Sequence, residues 1–430
     1  MKYFQIDSQL FIENRQRIVQ HLLPNSMVVL HSNDIMPSNA DGTMKFIQNS
    51  DLFYLTGIDQ EESILVLYPD FPEESFREIL FVRETNQEIA IWEGHKYTKD
   101  EATQTSGIKK IMWENQFEKI FYTLMAQAEN VYLNTNEHLR ADIQVPSRDA
   151  RFIKWCKEHY PLHKYRRIAP IMHKLRAVKS VGEVELLQKA CDITKDAFKR
   201  VLKFVKPGVM EFEIEAEYLH EFVRNRSKGF AYEPIIASGG NACVLHYLDN
   251  NDRCSDGELL LMDVGAEYAN YNADMTRTIP VNGRFTERQK AVYNAVLRVQ
   301  REATHLLRPG NTIKAYHKEV GKIMEGELIE LGLLNREEVK NQDQKKPLYK
   351  KYFMHGTSHH LGLDVHDVGN IYQKFEAGMV FTVEPGIYIR EENLGIRLEN
   401  NVVIRENDVD DLMRDIPIEV EEIETIMNEK

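Results

Sequence analysis

Four of the chain's fifteen histidines, His355, His359, His360 and His366, crowd into the stretch MHGTSHHLGLDVHD. Carboxylates flank them in the sequence, in places where a carboxylate is costly. Asp263 closes the apolar run LLLMD, and Asp274 sits just ahead of TRTIPV. Glu384 follows an apolar run in GMVFTVEPGIYI, and Glu399 stands inside GIRLENNVVI, alternating with Leu398 and Val402. Charged groups in such runs are seldom buried without a partner. Taken alone, Asp263 and Asp274 read as two solvated aspartates at a strand-end turn. Four such carboxylates around a histidine cluster are better explained by a shared cation. Carboxylates and imidazoles without thiolate suit Mn²⁺, Co²⁺, Fe²⁺ or Zn²⁺, and four negative charges balance two divalent ions. Two such ions a few ångströms apart, sharing carboxylates and a hydroxide, make a hydrolytic centre.

The elements that must position these groups are strands. GELLLMDVGAEYANYNADMTRTIPV reads as two strands joined by a short polar turn, a hairpin that brings Asp263 and Asp274 side by side. Close anions of this kind need a cation or a shared proton. On either side of this hairpin, FVKPGVMEFEIEAEYLHEFV and LLRPGNTIKAYHKEVGKIM echo each other: a helix end, a basic Pro-Gly turn, a new amphipathic helix. The echo suggests pseudo-twofold architecture without establishing it, since Pro-Gly turns between helices are common.

The first third of the chain differs in texture. FIENRQRIVQHLL carries apolar residues at helical spacing, while SMVVLHS, SILVLYP and REILFVRE are short β-rich runs. That pattern predicts a small α/β domain over residues 1–173, with the boundary near His173 and the catalytic domain over 174–430. Just beyond, Ser180 and Glu183 have the spacing of a capping box opening a Glu-rich helix.

A length of 430 residues argues for two domains. With 43% hydrophobic and 28% charged residues, the composition is that of a globular protein. A net charge of −13 disfavours binding to nucleic acid or to an anionic membrane. The N-terminus lacks the apolar stretch of a signal peptide, and no later segment approaches membrane-spanning length. Cys156, Cys191, Cys243 and Cys254 have no CxxC spacing, so neither a disulfide framework nor a thiolate zinc site is expected, and a cytoplasmic location is.

The segments LLLMDVGAEYANYNADMTRT, HGTSHHLGLDVHD, FTVEPGIYI and GIRLENNVVI resemble the aminopeptidase P (Xaa-Pro aminopeptidase) branch of the pita-bread metallopeptidases. KFIQNSDLFYLTGIDQEESILVLYP is similar to that family's N-terminal domain, so the resemblance covers nearly the whole chain. It implies a small α/β N-terminal domain followed by a pseudo-twofold α+β pita-bread catalytic domain. It implies five metal ligands: Asp263 for one ion, His359 and Glu384 for the other, and Asp274 and Glu399 bridging. Two divalent ions follow, Mn²⁺ first, with Co²⁺, Zn²⁺ or Fe²⁺ as alternatives, and Glu384 doubles as proton shuttle to a hydroxide between them. His246, His355, His366 and Arg397 match residues that surround the metals or the substrate, and Tyr388 matches an active-site tyrosine. His360 reads as structural, facing away from the site. The expected substrates are peptides with proline in second place, cleaved by a homodimer or homotetramer. The alternative enzyme is prolidase, with Xaa-Pro dipeptides as substrates; Arg397 would then bind the dipeptide carboxylate instead of clamping Glu399. A non-catalytic peptide-binding module is the remaining alternative. The segment between Glu384 and Glu399 is shorter than in some family members, which affects the substrate mouth.

Overall fold

The computed structural model describes residues 3–429. It divides into two compact units, residues 3–176 and 177–429. The division falls within the helix Ala169–Ala177, so the basic stretch near His173 is helical and not a loop.

In the first unit, the β-rich runs become strands of a six-stranded mixed sheet. In spatial order these are Lys110–Trp113, Glu78–Val82, Ile64–Leu67, Ser26–His31, Asn130–Leu133 and Lys164–Arg167. Ser26–His31 is buried along its whole length, as expected of a central strand covered on both faces. One face packs Met27, Val29, Val66 and Phe81 against Phe117, Phe121 and Leu124 of the helix Phe117–Met125. The helix expected from FIENRQRIVQHLL is Ser8–Val19, capped by the Asp7 side chain.

The second unit repeats one plan. Helices Val181–Phe204 and Glu211–Arg224 precede the antiparallel three-stranded sheet Met275–Pro280, Leu259–Val264, Ile235–Ser238. Helices Glu287–Leu306 and Ile313–Glu330 precede a second one, Val380–Val383, Asn400–Ile404, Val409–Asp411. Both Pro-Gly turns between the paired helices use the glycine at positive φ, Gly208 at 98° and Gly310 at 90°. The capping box forms: Ser180 Oγ accepts from Glu183 N, and Glu183 Oε2 accepts from Ser180 N at 2.9 Å. These features agree with the expected pita-bread architecture.

Two details depart from the sequence reading. The connection after Asp263 is a second small hairpin, Glu267–Tyr268 with Tyr271–Asn272, turning at Ala269 and Asn270, both at positive φ. Glu399 is not inside a strand. It lies between Leu394–Arg397, which pairs with Gly386–Ile389, and Asn400–Ile404, which pairs with Val380–Val383. The chain changes sheets there, so Leu398 and Glu399 are both buried and do not alternate between a core and a solvent face. The opposite chain breaks at Glu384-Pro385, and Leu398 N donates to Pro385 O across the gap.

Candidate metal centre

Asp263 sits on Leu259–Val264 opposite Thr276, and Asp274 immediately precedes Met275–Pro280. The hairpin closes tightly between them: a Cβ at Gly265 would lie 1.8 Å from Ala273 O. Asn401 fixes Asp274 through its backbone, accepting from Asp274 N at 3.0 Å and donating to Asp274 O at 2.6 Å. Tyr232, which the sequence reading did not single out, reaches both aspartates, with Oη 2.6 Å from Asp263 Oδ1 and 2.7 Å from Asp274 Oδ1. A phenol has one proton to donate, so two such contacts to carboxylates require a further proton or a cation. The pair is short of positive charge.

His359 arrives from the other half. Its segment runs antiparallel to Val380–Val383, with Thr382 N donating to His359 O and Leu361 N to Val380 O. His359 Nδ1 is 2.9 Å from His360 O, which makes Nδ1 the N–H and turns the Nε2 lone pair inward. Nε2 lies 3.4 Å from Asp274 Oδ2 and 3.6 Å from Glu384 Oε1. Ligand atoms of Asp274, His359 and Glu399 all fall within 4.8 Å of one another. Glu399 is held by Thr276, whose hydroxyl donates to Oε2 at 2.7 Å. The side chains of Asp263, Glu384 and His359 remain 15%, 19% and 13% exposed, so the cluster opens on one side.

Electrostatics repeat the shortage of positive charge. Burial, reinforced by neighbouring carboxylates, pushes Glu384 up to about 7 and holds Glu399 well above its ordinary range. Burial also raises Asp263, although the Arg397 guanidinium opposes it. Asp274 goes the other way. Burial alone would raise it, but the hydrogen bond and charge of His359 bring it below the ordinary value. His359 is raised, burial being outweighed by Asp274 and Glu384. Carboxylates whose ionisation is opposed by burial and by one another are what divalent cations relieve, and the donor set fits such ions.

Arg397 binds differently from the expected clamp on Glu399. Its Nη2 donates to Asp263 Oδ2 at 2.6 Å, Nη1 to Tyr388 Oη at 2.9 Å and Nε to Thr276 Oγ1 at 3.0 Å. Arg397 thus clamps Asp263 directly and reaches Glu399 only through Thr276. Tyr388 Oη also lies 2.8 Å from His355 Nε2, while His355 Nδ1 is 2.7 Å from Gly356 O. Burial, with Arg397 nearby, lowers His355 to about 3, so its ring is neutral. His366 is exposed, its ring edge-on to that of His359 at 4.3 Å. His246 is exposed in the loop after Gly239–Cys243, near enough to bear on the charge of His355. His360 turns away, its ring against Phe381 at 4.3 Å.

The model of metallopeptidase family M24 matches residues 185–406, and that of the aminopeptidase P N-terminal domain matches residues 11–132. The chain is 34% identical to the Xaa-Pro aminopeptidase of Escherichia coli K12, with 98% of each chain covered. Zn-substituted aminopeptidase P from E. coli in complex with product is similar in structure, with TM-score 0.87, 32% identity and 99% of each chain covered. The same enzyme with the inhibitor Pro-Leu gives TM-score 0.86, 33% identity and 99% coverage of each chain.

Proposed function

The chain belongs to metallopeptidase family M24, and from that membership we propose how its own residues remove an N-terminal residue from peptides with proline in second place. It is a metal-dependent Xaa-Pro aminopeptidase, a hydrolase that uses divalent ions. Asp263, Asp274, His359, Glu384 and Glu399 would hold the ions, with Asp274 and Glu399 as the ligands shared between the two. When bound, the ions lower the pKa of water and supply positive charge where the scissile carbonyl becomes negative. Glu384 accepts the proton of the attacking water and delivers it to the departing prolyl nitrogen, a task its partly open place beside His359 and Asp274 allows. Arg397 and Tyr232 orient Asp263, and Thr276 orients Glu399. His366 and His246, both exposed, contact the peptide. His355 has both ring nitrogens engaged, so it shapes the site through Tyr388.

One observation carries this reading: groups from separate segments between Asp263 and Glu399 converge on a cluster too negative for its surroundings. Arg397 is buried and bonded through all three of its nitrogens to Thr276, Tyr388 and Asp263, which favours a positioning role over capture of a dipeptide carboxylate and so weighs against prolidase. Manganese is the proposed physiological metal, in keeping with the oxygen-rich donor set. A homodimer or homotetramer in the cytoplasm is proposed as the working form. No helix among the described residues is long and apolar enough to cross a membrane, and the four cysteines are buried and unpaired. Steady-state kinetics with Mn²⁺ on an Xaa-Pro-Xaa tripeptide, its Xaa-Pro dipeptide and an alanine analogue test the reading. The tripeptide is expected to be cleaved with a much higher kcat/KM than either. A preference for the dipeptide would make the enzyme a prolidase.

A further inference from the structure

Behind the histidine segment lies an ion pair that the metal chemistry does not use. Lys179 Nζ donates to Asp367 Oδ2 at 2.9 Å, with both side chains 1% exposed. Removing both charges from water is expensive, and a buried pair of this kind is weak evidence for stability. Its placement says more.

Lys179 is fixed at its backbone. It immediately precedes the Ser180 cap of Val181–Phe204, its N–H donates to Gly378 O, and Val178 bridges Met379. Asp367 follows His366 directly, and its N–H donates to His360 O, closing the loop that begins just after His359. The loop is cinched around the pair. A Cβ at Gly362 would fall 2.2 Å from Asp367 Oδ2 and 2.9 Å from Lys179 Cε. Asn272 holds the same turn, donating to Gly362 O and Leu363 O.

We propose that the buried Lys179–Asp367 pair is a positioning device for His366, anchoring its loop to the start of the long helix and holding its ring against His359. The inference rests on the proposed contact between His366 and the peptide. Both side chains are shut away from solvent, so they act through the residue next to Asp367. Partners that orient active-site groups in this way typically contribute about 10- to 100-fold in activity.

The test compares His366→Ala, Lys179→Met, the double variant Lys179→Met/Asp367→Leu, and the triple variant that adds His366→Ala. Each is measured for bound metal, melting temperature, kcat and KM on an Xaa-Pro-Xaa peptide. Lys179→Met strands a buried carboxylate and is expected to melt early. The double variant removes both charges and is expected to recover the melting temperature and to retain metal. Its kcat is expected to stay about 10- to 100-fold down with a smaller change in KM, and the triple variant to match His366→Ala alone. Recovery of kcat together with the melting temperature would show that the pair is merely structural. Losses that multiply in the triple variant, or metal lost from the double variant, would equally overturn the proposal. Parental kcat in His366→Ala would instead remove His366 from the substrate site, a separate failure.

Discussion

Glu384 shows how a single side chain can be tuned by its surroundings. Burial raises it to about 7, while Asp274, a few ångströms across the site, stays ionised beside His359. The sign of the pH dependence follows. In metal-free protein a carboxyl with a raised pKa favours the fold fully below about 4.5, and that contribution is lost as pH rises through about 7. Metal must displace the proton of Glu384, so Mn²⁺ affinity is expected to weaken by about tenfold or more for each pH unit below about 7, the excess reporting protons held by the other ligands. Titration calorimetry in buffers of different ionisation enthalpy reads the released protons; an affinity flat across about pH 5 to 7 sinks the assignment. Arg397 offers a second residue-scale test. One N–H on each of its three nitrogens serves Thr276, Tyr388 and Asp263, and a lysine ammonium cannot reproduce that planar fork. Arg397→Lys is expected to lose about 10- to 100-fold in kcat/KM. Parental kinetics in that variant would show that the clamp is dispensable.

At the scale of elements, the aspartate hairpin depends on one close approach. With Ala273 O only 1.8 Å from where a Cβ would be, Gly265→Val must push the connection away from the sheet and move Asp274. A loss on the order of 3 kcal/mol is expected. At roughly 2–4 °C per kcal/mol for a unit of this size, the melting point falls by roughly 6–12 °C. Calorimetry checks it, and a variant melting with the parent would mean the hairpin adjusts freely. This hairpin was legible in the sequence because an apolar run ending in Asp263 and a second strand after Asp274 leave few ways to connect. The Pro-Gly turns were legible for the same reason, glycine being the residue that tolerates φ near 90°. The position of Glu399 was not. Its run looks like one strand, and only the choice of two different pairing partners breaks it before Asn400. Tyr232 was also beyond reach. It gains meaning once Ile235 pairs with Asp263, and no local pattern announces that register.

Across the whole molecule, the proposed cation site and the aromatic-rich core around Ser26–His31 belong to different units. The first unit packs its own core around Ser26–His31, while every proposed ligand lies between Asp263 and Glu399 in the second. Ions joining these segments stabilise the native state by mass action, about 2.7 kcal/mol when free metal is 100 times its Kd. They do so only where unfolding separates the ligands. Hydrogen exchange followed by peptide is therefore expected to divide the chain. After verified removal of metal, amides of Leu259–Val264, Met275–Pro280 and Val380–Val383 should exchange up to about 100-fold faster, and Mn²⁺ should restore them. Amides of Ser26–His31 should exchange unchanged. An effect spread evenly over both units would mean that the ions stabilise something other than the convergence of these carboxylates. No effect in either unit would mean that the carboxylate cluster holds its shape without them.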